Sequence, residues 1–471
     1  MTGSMQECEI LVIGAGPAGL AAAAAAREAG ADVTCLDLFA RPGGQYGMQP
    51  ASSASRFETA AQVAEGRAAA ARCLELGVKF LTETEVFWAE PGFRIFARQG
   101  PNAIAIKADN MIVATGAMER PIPFDGWTLP GVMTAGAAQR LIKANGALPG
   151  NSTVLAGSGP FLFAVADTFA KARLKLCAYV ELQGFGSKLL PLFLKHPSRL
   201  LEAARLLRGL QATGASLHRR HVVVEALGEQ RLQAVRLAPI GGDGKPERSR
   251  SFIIDGVDSL CIGYGFQPVI DVTSILGAEH RHDTLLGGWH CIADPLTGST
   301  SVAGLYAAGE TTGIGGAGPA RLSGRIAGLG AAARAGKAAR AGESERLARQ
   351  LADARNFAEG LALLFPFPGH LVDELSRSGT LCRCEDVSRA DVETAIDEGA
   401  EDALAVKMWT RAGMGPCQGR ICGSALAELV ARRTGMSVTD AGFNRPHMPL
   451  RPVPLSIVDA ALAQANEGQT Q

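Results

Sequence analysis

Four cysteines near the carboxyl terminus are the residues of this chain best suited to metal chemistry. Cys382, Cys384, Cys417 and Cys422 form a C-x-C pair and a C-x₄-C pair, and two short helical segments lie between the pairs. A third helical segment follows the last cysteine. Four thiolates suit a tetrahedral Zn²⁺ ion or a [2Fe–2S] cluster, and the number of ligands does not separate the two. The spacing therefore predicts a metal centre of one of these kinds.

The amino terminus carries a nucleotide-binding pattern. Residues 8–14 read as a strand buried on both faces, and they run into a glycine-rich turn and an alanine-rich helix. Glycines at such a turn allow a tight bend and a close approach to a pyrophosphate at the helix N-terminus. A second strand ends at Asp37, whose carboxylate can accept hydrogen bonds from ribose hydroxyls. The turn residues predicted to hold the pyrophosphate are Gly14, Gly16, Pro17, Ala18 and Gly19.

Three further segments indicate which dinucleotide binds. Residues 41–45 read RPGGQ, residues 111–116 read MIVATG, and residues 304–310 read GLYAAGE. With the first turn, they resemble the two-dinucleotide-binding-domain flavoproteins, the class of thioredoxin reductase, over residues 8 to about 335. The resemblance implies an FAD held by the first turn and by Asp37, Arg41, Gly44, Gln45, Val86, Thr115, Gly116, Gly309 and Glu310.

The chain departs from this class at two points. Glu310 stands where the class usually has aspartate, and its extra methylene predicts a displaced or water-mediated contact with the cofactor. Residues 1–335 also lack the redox-active cysteine pair of the disulfide reductases. Thioredoxin or glutathione reductase activity is therefore not expected.

A second nucleotide-binding unit begins near residue 152. A strand, a turn with Gly157 and Gly159, a helix and a strand ending at Glu181 follow in order. Leu162 occupies the third glycine position, where a bulky side chain is expected to push the helix away from the strand. Glu181 would repel a 2′-phosphate, so NADPH is disfavoured. NADH, another adenine nucleotide such as ATP, and no ligand all remain open for this site.

The text around the cysteines narrows the choice of metal. Residues 376–436, with C-x-C-E-D-V and T-R-x-G-M-G-x-C-Q-G-R-x-C, resemble the bacterioferritin-associated-ferredoxin-like [2Fe–2S] domain. The resemblance implies a [2Fe–2S] cluster on the four cysteines, although a zinc site stays the alternative. Arg411 and Arg420 are expected to offset the negative charge of the cluster.

The whole layout, and residues 114–139 in particular, resembles the α-type subunits of hetero-oligomeric opine and amino-acid dehydrogenases. The resemblance implies an electron-transfer subunit whose β partner, of D-amino-acid-oxidase type, oxidises a C–N bond. It also allows an FMN at the partner interface and a small ferredoxin-like γ subunit. The alternatives are a self-sufficient NADH-dependent flavin oxidoreductase and a structural or regulatory subunit with non-catalytic nucleotides.

Composition sets the remaining expectations. Lys+Arg and Asp+Glu both number 46, so no nucleic-acid partner is expected. The sequence has no apolar run long enough for a transmembrane segment and no signal peptide, which predicts a cytoplasmic protein with free thiols. The predicted class is α/β, with two Rossmann-like domains and a small helical cysteine domain. Predicted boundaries are 1–120 with 256–335 for FAD, 121–255 for the second nucleotide, 336–375 for a linker, 376–440 for the cluster and 441–471 for an extended tail.

Overall fold

The computed structural model describes residues 5–50, 61–184, 190–338, 342–377 and 379–467. Its strands are β1 (Gln6–Ile13), β2 (Val33–Leu36), β3 (Lys79–Leu81), β4 (Thr84–Glu90), β5 (Arg94–Gln99), β6 (Asn102–Val113), β7 (Ala117–Glu119), β8 (Val132–Thr134), β9 (Thr153–Gly157), β10 (Leu176–Glu181), β11 (Ser216–Arg219), β12 (His221–Leu227), β13 (Ala234–Pro239), β14 (Phe252–Asp255), β15 (Ser259–Gly263), β16 (Phe266–Pro268), β17 (His280–Asp283), β18 (Gly288–Cys291), β19 (Leu305–Ala307), β20 (Thr380–Cys382) and β21 (Val387–Ser388).

Helices cover both nucleotide units and most of the carboxyl-terminal third. They are α1 (Pro17–Glu28), α2 (Ala61–Glu75), α3 (Ala135–Arg140), α4 (Pro160–Lys171), α5 (Leu190–Lys195), α6 (Leu200–Ala212), α7 (Asp271–Ile275), α8 (Ala317–Arg334), α9 (Glu343–Leu364), α10 (Leu371–Leu375), α11 (Arg389–Asp397), α12 (Ala403–Thr410), α13 (Gly423–Thr434), α14 (Val438–Ala441) and α15 (Leu455–Glu467). None of the helices in this part of the chain combines the length and the apolar content of a membrane span.

The first nucleotide unit is built on a seven-stranded sheet in the order β3-β2-β1-β6-β5-β4, with β19 paired to β6. The pairs β1–β2, β1–β6 and β6–β19 are parallel, whereas β4, β5 and β6 form an antiparallel meander. Parallel strands buried on both faces read as continuous apolar runs, as β1 does. The carboxyl ends of β1, β2, β6 and β19 meet at one edge, where α1 begins. This edge is where a doubly wound sheet binds its ligand.

The second unit is a five-stranded parallel sheet in the order β11-β10-β9-β15-β8. Together the two sheets confirm the predicted α/β class with two Rossmann-like units. The predicted boundary at residue 255 was misplaced, because β15 pairs with β8 and β9 and so belongs to this sheet. The second unit therefore extends to Gly263, the last residue of β15, and the chain returns to the first unit after this residue.

The cysteine domain shares its apolar core with the second nucleotide unit. Val180 and Leu260 of the second sheet belong to the same buried cluster as Leu381 and Leu426. The indole N–H of Trp127 also donates to the backbone oxygen of Thr380 over 2.6 Å. Because the core is shared, experiments on the cysteine domain require the whole chain.

The tail predicted as extended for residues 441–471 is extended only in its first part. The prolines end at Pro454, and α15 follows. Ile457, Ala461 and Ala465 have the four-residue spacing of one helix face, and that face packs against Phe96 of β5. The side chain of Gln464 also bonds to the backbone of β6 at Ala103 and Ala105. The tail therefore ties the cysteine domain back to the first sheet.

Candidate cofactor sites

The turn after β1 is shaped by glycines that cannot be replaced. Gly14 has a φ of +102°, and a Cβ there would overlap the carbonyl oxygen of Ala114 at the end of β6. A Cβ on Gly19 would overlap the carbonyl oxygen of Gly14. Helix α1 therefore lies as close to β1 as a helix can, with its amino end open toward the sheet edge. This cradle fits a dinucleotide pyrophosphate.

The second predicted FAD segment lies directly on this turn. Gly43 N–H donates to the carbonyl oxygen of Ala15 over 2.8 Å. Gly44 has a φ of +60°, and a Cβ there would lie 2.7 Å from the Cα of Gly16. The side chains of Arg41 and Gln45 are exposed beside the turn. The segment can therefore cover a cofactor that lies along the sheet edge.

Asp37 is buried at the end of β2, as the sequence predicts. Its carboxylate accepts hydrogen bonds from Ala15 N–H over 2.5 Å and from Phe39 N–H over 2.7 Å. Burial raises the pKa of Asp37 despite these two bonds. Thr84 N–H donates to the Asp37 backbone oxygen over 2.9 Å. This bond holds the start of β4, and with it Val86, close to Asp37. Asp37 and Val86 thus stand at the same side of the turn, where the adenosine half of FAD is expected.

The third and fourth FAD segments converge on the other side of the turn. The hydroxyl of Thr115 donates to Val269 O over 2.8 Å, and Gly116 follows with a φ of +76°. A Cβ on Gly309 would lie 2.6 Å from the Cβ of Ala18. Ala18, Thr115, Gly116 and Gly309 therefore lie around one space at the edge of the sheet.

The longer side chain of Glu310 has its own partner. Its Oε1 accepts a hydrogen bond from Gly316 N–H over 3.1 Å, immediately before α8 begins. Burial raises the pKa of this carboxyl. A contact of Glu310 with the cofactor remains a prediction.

We predict that Gly19→Ala prevents stable FAD binding. The added methyl group meets backbone rather than a movable side chain, so α1 must shift, at about 1–3 kcal/mol of stability for overpacking. The flavin content of the purified variant, read from its absorption spectrum, measures the effect. Gly242→Ala is the matched control, since a Cβ there has no neighbour within 4 Å. Normal flavin content in the Gly19→Ala variant would contradict this assignment.

Leu162 does not disrupt the second unit in the way that its size predicts. The side chain is fully buried in the core between α4 and the second sheet. A Cβ on Gly263, in the neighbouring strand β15, would lie 3.1 Å from Leu162 Cδ2. The missing side chain at Gly263 therefore makes room for Leu162. Gly157 and Gly159 keep positive φ values of +145° and +106°, as a nucleotide-binding turn requires.

Three buried polar atoms around Glu181 have no hydrogen-bond partner among the described residues: Ser158 Oγ, Tyr179 OH and Glu181 Oε2. The two hydroxyls lie close enough to Glu181 to perturb its pKa, but neither makes a well-formed hydrogen bond to it. The other carboxylate oxygen, Glu181 Oε1, is paired with Gln183 N–H at 3.0 Å. Unsatisfied buried polar atoms are rare in folded proteins and mark positions where a ligand or water completes the pairing. This cluster could pair with the ribose of a nucleotide, and NADH, another adenine nucleotide such as ATP, and no ligand all stay open.

We predict that Glu181→Gln makes stability less dependent on pH. Burial raises the pKa of Glu181 from 4.5 to about 8, so the folded chain holds a proton that the unfolded chain releases. The free energy of unfolding therefore falls as the pH rises through this window, and the neutral amide escapes the loss. Urea unfolding of both proteins at about pH 5 and pH 8 measures the difference. Glu229→Gln, at an exposed position, is the control. An equal pH slope in wild type and Glu181→Gln would contradict the raised pKa.

The four cysteine thiols lie close enough to shift one another's pKa values. A hydrogen bond with Cys422 lowers the pKa of Cys382 to about 5, and the same bond raises that of Cys422. Burial and a hydrogen bond with Cys417 raise the pKa of Cys384. Cys382 and Cys422 are buried, whereas Cys384 is exposed. The pairing therefore joins the C-x-C segment to the C-x₄-C segment at both of its positions.

Four neighbouring thiols are a donor set for either a [2Fe–2S] cluster or a zinc ion. Within the described ranges, no three or more histidine, cysteine, aspartate or glutamate side chains are grouped to hold a metal ion. A [2Fe–2S] cluster takes four cysteines, two on each iron, whereas a structural zinc site needs all four around one centre. The four-thiol donor set thus fits the cluster, with a zinc ion as the alternative.

Backbone and amide groups shape the cysteine loops. Gly413 N–H donates to the Sγ of Cys382 over 3.4 Å, the kind of bond that stabilises a thiolate ligand. The Asn444 amide lies so close to Gly413 and Gly419 that no Cβ could be added at either glycine. Asn444 therefore packs against the segment that carries the second cysteine pair, just before and within its C-x₄-C spacing. Sequence reasoning missed Asn444, since no local motif marks it.

Both arginines that were expected to offset the cluster charge are paired with carboxylates. Arg411 is exposed and donates to Glu385 Oε2 over 2.9 Å, so its charge is already paired. Another buried cation beside the cysteines is Lys407, and burial lowers its pKa although the nearby Cys422 opposes this shift. No local pattern marks Lys407 for this role, because α12 turns it inward only in the folded domain.

Arg420 joins three parts of the molecule. Its side chain is 7% exposed and lies 2.7 Å from Asp271 Oδ2, at the start of α7 in the flavin unit. It also donates to the backbone oxygens of Cys417, over 3.0 Å, and of Leu450 in the tail, over 3.1 Å. A buried, multiply bonded guanidinium of this kind fixes orientation. Arg420 therefore holds the second cysteine pair against the flavin unit.

A short route of bonds leads from the flavin unit to the cysteines. Val269 N–H donates to Gly116 O over 2.9 Å, at a predicted FAD residue. Two residues earlier in the chain, the side-chain amide of Gln267 donates to Arg420 O over 2.7 Å. Residues 267–269 thus connect the predicted flavin segment to the cysteine loop through these two bonds.

Two dinucleotide-binding units in this order, followed by a cysteine domain, define a flavoprotein of the disulfide-oxidoreductase fold. Residues 8–338 match the family described as pyridine nucleotide-disulphide oxidoreductase, and residues 380–462 match the sarcosine oxidase A3 domain. The L-proline dehydrogenase structure from P. horikoshii shares the fold, with a TM-score of 0.68 and 19% identity over 97% of this chain and 80% of that chain.

Two curated relatives are similar along their whole length. The A subunit of opine oxidase from Rhizobium meliloti is 32% identical over 470 residues, which cover 96% of this chain and 98% of that protein. The HcnB subunit of hydrogen cyanide synthase from Pseudomonas aeruginosa is 31% identical over 461 residues, covering 95% and 97%. The chain belongs to the pyridine nucleotide-disulphide oxidoreductase family, among the α-type flavoprotein subunits that these two proteins represent.

Proposed function

We propose that this chain is the FAD- and [2Fe–2S]-containing electron-transfer subunit of a hetero-oligomeric dehydrogenase or oxidase that oxidises the C–N bond of an opine, imino acid or amino acid. The observation that carries the proposal is the set of four interacting cysteine thiols docked on the flavin unit through Arg420 and Asp271. FAD supplies two-electron chemistry, and a [2Fe–2S] cluster supplies one-electron transfer.

We assign residues to each cofactor on the basis of these contacts. The glycine cradle, Asp37, the Gly44 loop, Val86, Thr115, Gly116, Gly309 and Glu310 would hold FAD. Gly157, Gly159 and Glu181 would hold NAD or ATP in the second unit. Cys382, Cys384, Cys417 and Cys422 would ligate the cluster, which Gly413 N–H and Lys407 would stabilise.

We assign the oxidation of the amine to a partner subunit. Relatives of this chain are named as subunits of opine oxidase, hydrogen cyanide synthase and sarcosine oxidase. We assign the C–N oxidation to a β subunit of D-amino-acid-oxidase type, and leave room for an FMN at the interface and for a ferredoxin-like γ subunit. All ten cysteines are free thiols, which suits the reducing cytoplasm.

Turnover with and without a partner tests this proposal. The purified chain is expected to show no oxidation of opines, imino acids or amino acids on its own, and to gain it when co-expressed with its β subunit. Reduction of the flavin by the amine in the assembled complex, but not in the isolated chain, would support the assignment of amine oxidation to the partner. Full amine turnover by the isolated chain would contradict it.

A second candidate function is NADH-dependent flavin reduction. The unpaired atoms around Glu181 favour it, because they fit the ribose of a bound nucleotide. Stopped-flow mixing with NADH separates the two functions: fast bleaching of the flavin in the isolated chain would support the reductase. Slow or absent bleaching would leave a nucleotide in the second unit with a structural role only.

A further inference from the structure

A cavity lies between the flavin unit and the cysteine domain. Its walls come from the segment around Gln267–Asp271 on one side and from Gln418–Ser424 and Asn444 on the other. The volume is about 100 Å³, several times the ~10–15 Å³ that one water requires. None of the residues assigned to FAD or to the second nucleotide lines it.

Several residues that line this cavity carry a buried polar atom with no hydrogen-bond partner. Arg120 Nε, Trp289 Nε1, Ser424 Oγ and Asn444 Oδ1 are all buried and unpaired. They make up four of the eleven such atoms in the described residues, and all four of their residues line the cavity. Chance placement would scatter them, so their convergence indicates a missing partner.

The charge of the walls favours an acid. Arg120 is 5% exposed; its acidic contact within the described ranges is Glu428, 3.6 Å from Nη2, and its guanidinium lies over the ring of Phe367. The other arginine of the cavity, Arg420, is already neutralised by Asp271. Arg120 therefore keeps an unpaired Nε–H, and its ion pair with Glu428 is longer than the ion pair of Arg420 with Asp271.

The donors and the acceptor differ in kind. Arg120 and Trp289 can only donate, and Ser424 can donate, which together suit a carboxylate. Asn444 Nδ2 is directed to Gly413 O at 3.4 Å, so that its Oδ1 is left to accept from an N–H. Trp289 and Phe443, with ring centroids 4.9 Å apart, provide an apolar wall.

We propose that this cavity binds a small amino or imino acid, with its carboxylate on Arg120, Trp289 and Ser424 and its N–H on Asn444. The site lies beside Arg420 and the Cys417 loop, so an occupant contacts both the flavin unit and the cysteine domain. It therefore joins them more firmly than the protein contacts do alone. This inference goes beyond the proposed function, since every contact belongs to this chain and no partner is needed.

Isothermal titration of the full chain tests the site with four probes: glycine, L-proline, cyclopentanecarboxylate and pyrrolidine. Glycine and proline are expected to bind once per chain at millimolar concentrations or below. Cyclopentanecarboxylate lacks the N–H and pyrrolidine lacks the carboxylate, so both are expected to bind at least roughly tenfold more weakly. Absence of binding by both amino acids, or equal binding of all four probes, would overturn the proposal.

Two substitutions locate the binding. Trp289→Phe and Ser424→Ala each remove one donor and keep the packing, and each is expected to weaken proline binding roughly tenfold. Ser376→Ala is the matched control, because Ser376 Oγ is also buried and unpaired but lies outside the cavity. Unchanged binding in both cavity variants, or an equal loss in the control, would place the ligand elsewhere and refute the assignment.

Discussion

Replacing Cys417 by serine is expected to remove the iron centre while leaving the flavin in place. The substitution takes one thiolate from the pair that Cys417 forms with Cys384, and the remaining iron ligands cannot complete four-cysteine coordination. Cys417 is only half-buried, so the fold itself should tolerate the change. Iron and acid-labile sulfide per chain should fall close to zero, with flavin content unchanged.

The control for this result is Cys177→Ser. Cys177 is also half-buried and its sulfur lies 3.0 Å from Ser152 Oγ, but it is remote from the other cysteines. The iron content of the Cys177→Ser variant should equal that of wild type. Equal iron in Cys417→Ser and wild type would show that the cluster is not held here. The same variant separates an electron-transfer subunit from a scaffold, because a scaffold would lose assembly but no intrinsic electron transfer.

Arg420→Met should lower stability and uncouple the two halves of the molecule. The substitution leaves the half-buried Asp271 without its ion-pair partner, and breaking a buried ion pair costs at most about 3–5 kcal/mol. It also removes the bonds to Cys417 O and Leu450 O. Urea unfolding measures the first effect, and the rate of cluster reduction after the flavin is reduced measures the second.

Arg411→Met provides the matched comparison. Arg411 carries the same charge in the same domain, but it is 67% exposed and pairs with Glu385 at the surface. Such a pair contributes about 0–1 kcal/mol. If both arginine variants lose the same stability and the same rate, Arg420 does not dock the cysteine domain.

The sequence predicted the parts of the site whose roles are local. The glycines at 14 and 19 are set by the bend between β1 and α1, within a few residues of chain. The cysteine spacing likewise fixes two thiol pairs on short loops between helices. Such patterns carry their geometry with them, so the α/β class and the two nucleotide units could be read without the structure.

The remaining features depend on distant partners. Arg420 meets Asp271 across 149 residues, and nothing near either residue signals the other. Leu162 looked disruptive because the glycine that accommodates it, Gly263, stands in another strand. The boundary of the second unit was placed too early for the same reason, since β15 inserts between β8 and β9. Pairings of this kind arise from tertiary packing and have no local period.

Metal analysis of the full chain, purified without oxygen, tests the central claim most directly. We expect two irons and two labile sulfides per chain, as one [2Fe–2S] cluster requires, and a paramagnetic signal after reduction with dithionite. A chain that contains zinc in place of iron, and shows no such signal, would contradict the account.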